Sequence, residues 1–206
     1  MHSMDDILYA LGRIQYDEGD IEGAIVSFSD AAKLKPGDPK LYFYKALVKF
    51  ETGGYAGAIE DLDKAISLDP MMSPAYVNRA LARLQIWGQR EDPWEDPIDA
   101  LKTITKITHD FLGAARASPG NFFAHYNLGV LMYLIGQYES ADNALTNSIE
   151  LQPFDEIAFC MRGEVRCCMK MYAEGIRDFE AALLLDPDYE VARNNLACAR
   201  DAKESA

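Results

Sequence analysis

Apolar and small residues along this chain fall into a register that repeats every 34 residues. Five prolines mark it, Pro36, Pro70, Pro119, Pro153 and Pro187, at intervals of 34, 49, 34 and 34 residues. With each proline at position 32 of a 34-residue frame, position 8 reads Gly12, Ala46, Ala80, Gly129 and Gly163. Position 20 reads Ala24, Ala58, Ile107, Ala141 and Gly175, and position 24 reads Phe28, Leu62, Phe111, Leu145 and Phe179. Position 27 reads Ala31, Ala65, Ala114, Ser148 and Ala182. Small residues let two helix axes approach and large ones fill the space between them. Each frame therefore predicts two helices, A and B, joined by a turn. Gly19, Gly53-Gly54 and Gly136 sit at that turn, where a left-handed backbone ends helix A. Lys170 holds the place in the fifth frame, so a less favourable turn is expected there. The proline at position 32 ends helix B, because it lacks an N–H and clashes with the preceding turn.

The third frame is longer by 15 residues, inserted over about 88–102. Residues 88–96 read as a projecting loop that carries Trp94 among acids. Asp96 then reads as an N-cap, Pro97 as the first helical residue and Asp99 as a first-turn acid, so a long helix B is expected from Pro97 to about Ala117. Two readings of the loop stand open: a surface insertion with Trp94 folded back on the protein, or a second contact site. From Tyr189 to about Lys203 the chain occupies a sixth helix-A frame, with Leu196 and Ala197 at packing positions and a polar remainder. Such a helix caps an open-ended stack. No cap precedes the first frame, and Arg13, Asp17 and Glu18 suit a first helix that faces water.

The period and the residues at positions 8, 20, 24, 27 and 32 resemble the tetratricopeptide repeat family over about residues 5–187. The family's tryptophan position is held by Leu8, Tyr42, Tyr76, His125 and Phe159. The resemblance implies an all-α, right-handed α-solenoid: one domain over 1–206 with repeats at about 5–38, 39–72, 73–121, 122–155 and 156–189 and a capping helix at about 189–203. It implies a protein-binding module or adaptor, not an enzyme, with a partner segment lying in the concave groove of repeats two to four. In the family, helix-A positions 2, 5, 6, 9, 12 and 13 line that groove. Here they supply Phe43, Tyr44, Leu47, Phe50, Val77, Asn78, Leu81, Phe123, Tyr126, Asn127, Val130 and Tyr133. In the fifth repeat they supply Ile157, Cys160, Met161, Glu164, Cys167 and Cys168. An aromatic and aliphatic face marks a binding surface, because the core positions are filled by other residues. The competing reading packs these side chains on each other or on the long third-repeat helix. Asn78, Asn127 and Asn195 share position 6, where a carboxamide suits an extended peptide backbone.

One family activity fails on its residues. Binding the acidic C-termini of chaperones needs a two-carboxylate clamp of lysines, asparagines and an arginine. Starting from the first repeat the corresponding positions hold Tyr9, Arg13, Tyr44, Pro74 and Asn78, and later starts fare no better. No cationic cage for a carboxylate results. Basic pairs at positions 7 and 11, Lys45 with Lys49, Arg79 with Arg83 and Arg162 with Arg166, read as ion-pair partners of acids such as Asp61 and Asp63 on helix B.

Charge narrows the partner. Twenty Lys and Arg against 33 Asp and Glu leave a net charge of -13, which disfavours nucleic acid and anionic membrane surfaces. It favours a protein or peptide with apolar anchors and basic flanks; self-association through the same apolar face is the alternative. Met1-His2-Ser3-Met4-Asp5-Asp6 has no basic, apolar leader pattern, so no signal peptide is expected and a cytoplasmic location is. The four cysteines, Cys160, Cys167, Cys168 and Cys198, lack C-x-x-C spacing and a neighbouring histidine, so free thiols rather than a metal site are expected. His2, His109 and His125 are scattered, and no cofactor or catalytic motif is present.

Overall fold

A computed structural model describes residues 3–205; Met1, His2 and Ala206 lie outside the described residues. The fold is all-α. Its helices group into two compact units, one ending at Ser118 and the other beginning at Pro119. The first unit holds α1 (Met4–Asp17), α2 (Ile21–Leu34), α3 (Pro39–Glu51), α4 (Tyr55–Leu68), α5 (Ser73–Gly88) and α6 (Pro97–Ala117). The second holds α7 (Phe122–Leu134), α8 (Tyr138–Leu151), α9 (Glu156–Cys168), α10 (Tyr172–Leu185) and α11 (Glu190–Glu204). Within each unit the helices pack pairwise in chain order, the layout of an α-solenoid of helical hairpins.

Every residue at positions 8, 20, 24 and 27 is buried. The tightest contact joins positions 8 and 24. A methyl group built on Gly12 would lie 2.9 Å from the Phe28 ring, and one on Gly163 would lie 2.7 Å from the Phe179 ring. Backbone and ring thus meet where a side chain would otherwise stand. Position 4 adds a tie between successive hairpins. Tyr42 donates its hydroxyl to the carbonyl of Pro36 at 3.2 Å, and Arg193 donates to that of Pro187 at 2.7 Å. The His125 ring lies 3.4 Å from the carbonyl of Pro119.

Helix starts follow the sequence closely. Asp96 accepts from the backbone N–H groups of Ile98 and Asp99 at 2.9 and 3.2 Å, and α6 runs from Pro97 to Ala117. Asp155 caps α9 in the same way. The turns between helices A and B take positive φ at Gly19, Gly53 and Gly136, with values of 80°, 77° and 75°. Lys170 takes φ 61° at the equivalent place, where a Cβ makes the left-handed backbone unfavourable by roughly 1 kcal/mol.

Two packing details differ from the sequence reading. In α11 the buried residues are Ala192, Leu196 and Ala199, while Ala197 is exposed. Position 8 is a close-contact site only when a helix B folds back on it, and among the described residues none follows α11. In α1 and at its C-cap, Asp17 and Glu18 are exposed as expected, while Arg13 is partly covered and stacks over the Tyr44 ring, 4.9 Å from its centroid. Met4, Ile7, Leu11 and Ile14 form an apolar exposed stripe that the sequence reading did not single out.

The buried acids settle the role of the basic pairs. Asp110 is fully buried and ion-pairs with Arg79 at 2.6 Å and with Arg83. Asp178 pairs with Arg162 at 2.7 Å and Arg166 at 2.8 Å. Asp61 stands between Lys45 and Lys49 at 2.8 and 2.6 Å; at its Oδ2 the contact is charge to charge and not an aligned hydrogen bond. All three acids occupy position 23. The fourth repeat places Ala144, Leu128 and Met132 at the same three positions and solves the same space without charge.

Two outcomes follow. Lys170→Gly removes the strained Cβ and should raise stability by about 1 kcal/mol, read as a higher urea midpoint with unchanged slope. Asp178→Ala leaves two part-buried guanidinium groups without their shared acid and should cost roughly 3–5 kcal/mol. Combining it with Arg162→Leu and Arg166→Met copies the fourth repeat and should recover most of that loss in the same urea titration. A triple variant as unstable as the single one would show that the acid stabilises by more than pairing these two cations.

Candidate functional site

The helix-A residues expected to meet a partner sit on α3 and α5 in the first unit and on α7 in the second. In the first unit much of this set is committed to packing. Phe43 and Phe50 lie against the buried cluster of Ala46, Ala58, Leu62, Ala65 and Ala75. Tyr44 stacks on Phe28 with ring centroids 5.6 Å apart, meets Tyr9 edge-on at 5.5 Å, and accepts a hydrogen bond from Arg13 at 3.0 Å. Burial raises its hydroxyl pKa above the ordinary tyrosine value. Tyr16 donates to Glu51, and burial together with that carboxylate pushes its pKa up to about 12. Val77 is only 8% exposed, whereas Leu47, Asn78 and Leu81 are half-buried.

The second unit is more open. Phe123 is 56% exposed and lies against Phe122 with ring centroids 4.0 Å apart. Tyr126, Asn127, Val130 and Tyr133 follow it along α7, each half-buried. Asn78 and Asn127 each donate one amide hydrogen to the carbonyl four residues back, those of Pro74 and Phe123, at 2.9 and 2.8 Å. One donor of each carboxamide is therefore used inside its own helix. Asn195 acts differently: its amide reaches Glu164 Oε1 at 2.6 Å.

That contact sits at a cavity of about 390 Å³ within the second unit, lined chiefly by Tyr133, Glu164, Cys167, Cys168, Tyr172 and Asn195. Burial holds the Glu164 carboxyl above its usual range, partly offset by the Asn195 hydrogen bond. Beneath it, burial pushes the Cys160 thiol up to about 11, so that sulfur is a poor nucleophile. Tyr189, beside Cys160, is pushed up to about 12, again by burial first. All four cysteines are free, with Cys160 buried and Cys168 and Cys198 exposed. Among the described residues no group of three metal-ligating side chains converges.

Trp94 folds back and stays partly open. Its ring meets Trp87 edge-on at 5.2 Å, Trp87 donates to the carbonyl of Pro93 at 3.2 Å, and Trp94 remains 50% exposed.

A tetratricopeptide repeat family model matches residues 5–38. The chain is also similar to solved structures along most of its length. The MamA protein is 21% identical, covers 91% of this chain and 94% of its own, and superposes with a TM-score of 0.73. TTC0263, a thermophilic protein with these repeats from Thermus thermophilus, is 20% identical over 95% of this chain and 98% of its own, with a TM-score of 0.66. The fold is that of tetratricopeptide-repeat solenoids. YrrB, described as a protein of this repeat type with an unusual peptide-binding site, is 15% identical over 91% of this chain and 89% of its own, with a TM-score of 0.67. None of the curated proteins matches the sequence.

The sequence reading named neither Asp110 and Asp178 as ion-pair partners nor the Glu164 cavity. The acids of the buried ion groups were legible, since an acid at position 23 accompanies cations at 7 and 11 in repeats two, three and five and is absent with them in repeat four. The Glu164 cavity had no such signal. Position 9 carries Arg13, Leu47, Leu81, Val130, Glu164 and Cys198, a set without any rule. Only the placement of α11 against α9 and α10 encloses Glu164.

Proposed function

We propose that this chain is a non-enzymatic protein-binding module or adaptor whose helix-A faces receive a segment of another protein. The observation that carries the reading is the α7 face. Phe123 is exposed and Tyr126, Val130 and Tyr133 are half-buried beside it, while every close-packed position of that hairpin is filled by other residues. Rigid aromatic groups of this kind anchor partners at low entropic cost. A net charge of -13 favours a partner with basic flanks and speeds its encounter. A protein of the same fold, YrrB, is described as having a peptide-binding site. The Leu47, Asn78 and Leu81 positions of the first unit serve the same role there, and Trp94 is a second contact. Nucleic acid and membrane insertion are outside this reading; among the described residues no helix is long and apolar enough to cross a membrane. A cytoplasmic location accords with the free thiols.

A partner captured from native lysate and then purified supplies the test. Phe123→Ala with Tyr133→Ala in the full chain should weaken its binding at least about tenfold, as expected when aromatic anchors are truncated, with the thermal melt little changed. Unchanged affinity in that variant, with loss in Trp94→Ala, would move the site to the third-repeat loop.

The α1 stripe favours a second reading, a structural subunit that self-associates. Met4, Ile7, Leu11 and Ile14 follow the 3-4-3 spacing of a coiled-coil seam and are all exposed. If a second copy covers them, the solution mass should rise with protein concentration and Leu11→Lys should hold it at the monomer value. A constant monomer mass in the unaltered chain would end that reading.

A further inference from the structure

The cavity beneath α11 is distinguished by its one charge. Among its lining residues, which include two tyrosines, three thiols and an amide, Glu164 alone is ionisable as an acid below neutral pH or carries formal charge. Glu164 is half-buried, and its hydrogen-bond partners are neutral: the Asn195 amide at 2.6 Å and the Cys160 thiol at 4.0 Å. Among the described residues no lysine or arginine lies within ion-pair distance of it. The nearby arginines are engaged elsewhere: Arg162 and Arg166 with Asp178, Arg177 with Glu174, and Arg200 with Glu180. This contrasts with the chain's own practice. Each buried aspartate at position 23 is met by two cations, whereas Glu164 is given none.

A carboxylate drawn from water without a cation destabilises the fold that holds it. Its folded-state pKa is raised, so the sign is definite: the cost is absent below the ordinary carboxylate pKa and grows as pH rises through the raised one. Evolution tolerates such a cost where a ligand offsets it. The ligand that would do so carries a positive charge on a stem narrow enough for a cavity of about 390 Å³ and apolar enough to lie along tyrosine rings. A lysine or arginine side chain has these properties, and tyrosine faces attract its charge directly. The surroundings agree, since residues 119–206 carry seven Lys and Arg against fourteen Asp and Glu.

We propose that the cavity between α9, α10 and α11 is a specificity pocket for a lysine or arginine side chain of a bound peptide, with Glu164 as its counter-ion and Asn195 holding the carboxylate in place. This deepens the protein-binding reading and rests on it. It adds a required residue type to the partner and locates where that residue enters.

The probe is a blocked heptapeptide of alanine and leucine with one central arginine, compared with versions bearing lysine, glutamine or glutamate there. Binding to the full chain is followed by NMR shifts of Tyr133, Tyr172 and Asn195. The arginine and lysine peptides should bind at least about tenfold more tightly than the glutamine peptide, and the glutamate peptide should bind worst. Glu164→Gln should remove the preference while raising the melting temperature of the free protein at neutral pH. In the unaltered chain the preference should vanish as pH falls and Glu164 takes up its proton. The other titratable groups facing it are Tyr126 and Tyr133 from α7, Cys160, Cys167 and Cys168 from α9, Tyr172 from α10, and Tyr189 and Cys198 at or on α11. Tyrosines and thiols as classes titrate on the alkaline side, so an acid-side loss reports Glu164. Equal binding of arginine and glutamine peptides at this cavity, or a preference that survives Glu164→Gln, would overturn the pocket assignment. If Glu164→Gln leaves peptide discrimination unchanged while Phe123→Ala, which lies outside the cavity lining, still weakens partner binding, the pocket fails and the protein-binding reading stands. Loss of the cation preference on Glu164→Gln supports both.

Discussion

The hairpins depend on one close approach, between the small residue at position 8 of helix A and the large residue at position 24 of helix B. At Gly12 and Gly163 no room exists for even a methyl group beside the facing phenyl ring. That contact sets the distance between the two helices, and the distance determines everything carried on them. It brings position 23 within reach of positions 7 and 11, so an acid there meets two cations at once. It also fixes how far each helix A stands out from the helix B layer, and hence which of its side chains remain available. The energetic weight of such contacts is large because interiors are close-packed, and an added methylene has nowhere to go.

The buried ion groups are the second layer of the same design. They do not drive folding, because removing charges from water costs about as much as pairing them returns. Their effect is on register. A guanidinium that must reach a fully buried carboxylate tolerates little sliding of helix A along helix B. The fourth repeat shows that this function is dispensable where Leu128, Met132 and Ala144 fill the space instead. Charge and packing are alternative answers to one geometric question, which explains why the three positions change together within a single chain.

The fold was legible wherever a side chain's surroundings recur. Gly129 and Gly163 have equivalent neighbours, so their equivalence appears in the sequence as spacing. The start of α6 at Pro97 was legible for another reason, since a cap acts over three residues and needs no tertiary information. Features without a repeat equivalent were lost. Ala197 looked like another position 8 but has no helix B to meet. On α1 and at its C-cap the exposed acids Asp17 and Glu18 were read correctly, but the exposed Ile7, Leu11 and Ile14 were not, because no helix precedes them among the described residues. The candidate site divides along the same line. Its residues could be placed on one helical face by period alone. Whether that face is open, as at Phe123, or spent on packing, as at Tyr44 and Val77, depends on neighbours that spacing does not specify.

The insertion that lengthens the third repeat has a further consequence, in the order of events as the chain folds. In the fifth hairpin Arg162 and Asp178 are separated by 16 residues, whereas in the third Arg79 and Asp110 are separated by 31. Doubling the loop that must close raises its entropic cost by about 0.6 kcal/mol, which slows closure about threefold. The second and fifth hairpins can bury their charges by closing loops of the short length. The third must wait for its long helix, with Arg79, Arg83 and Asp110 still in water. Until α6 docks, the chain has its widest exposed interval there.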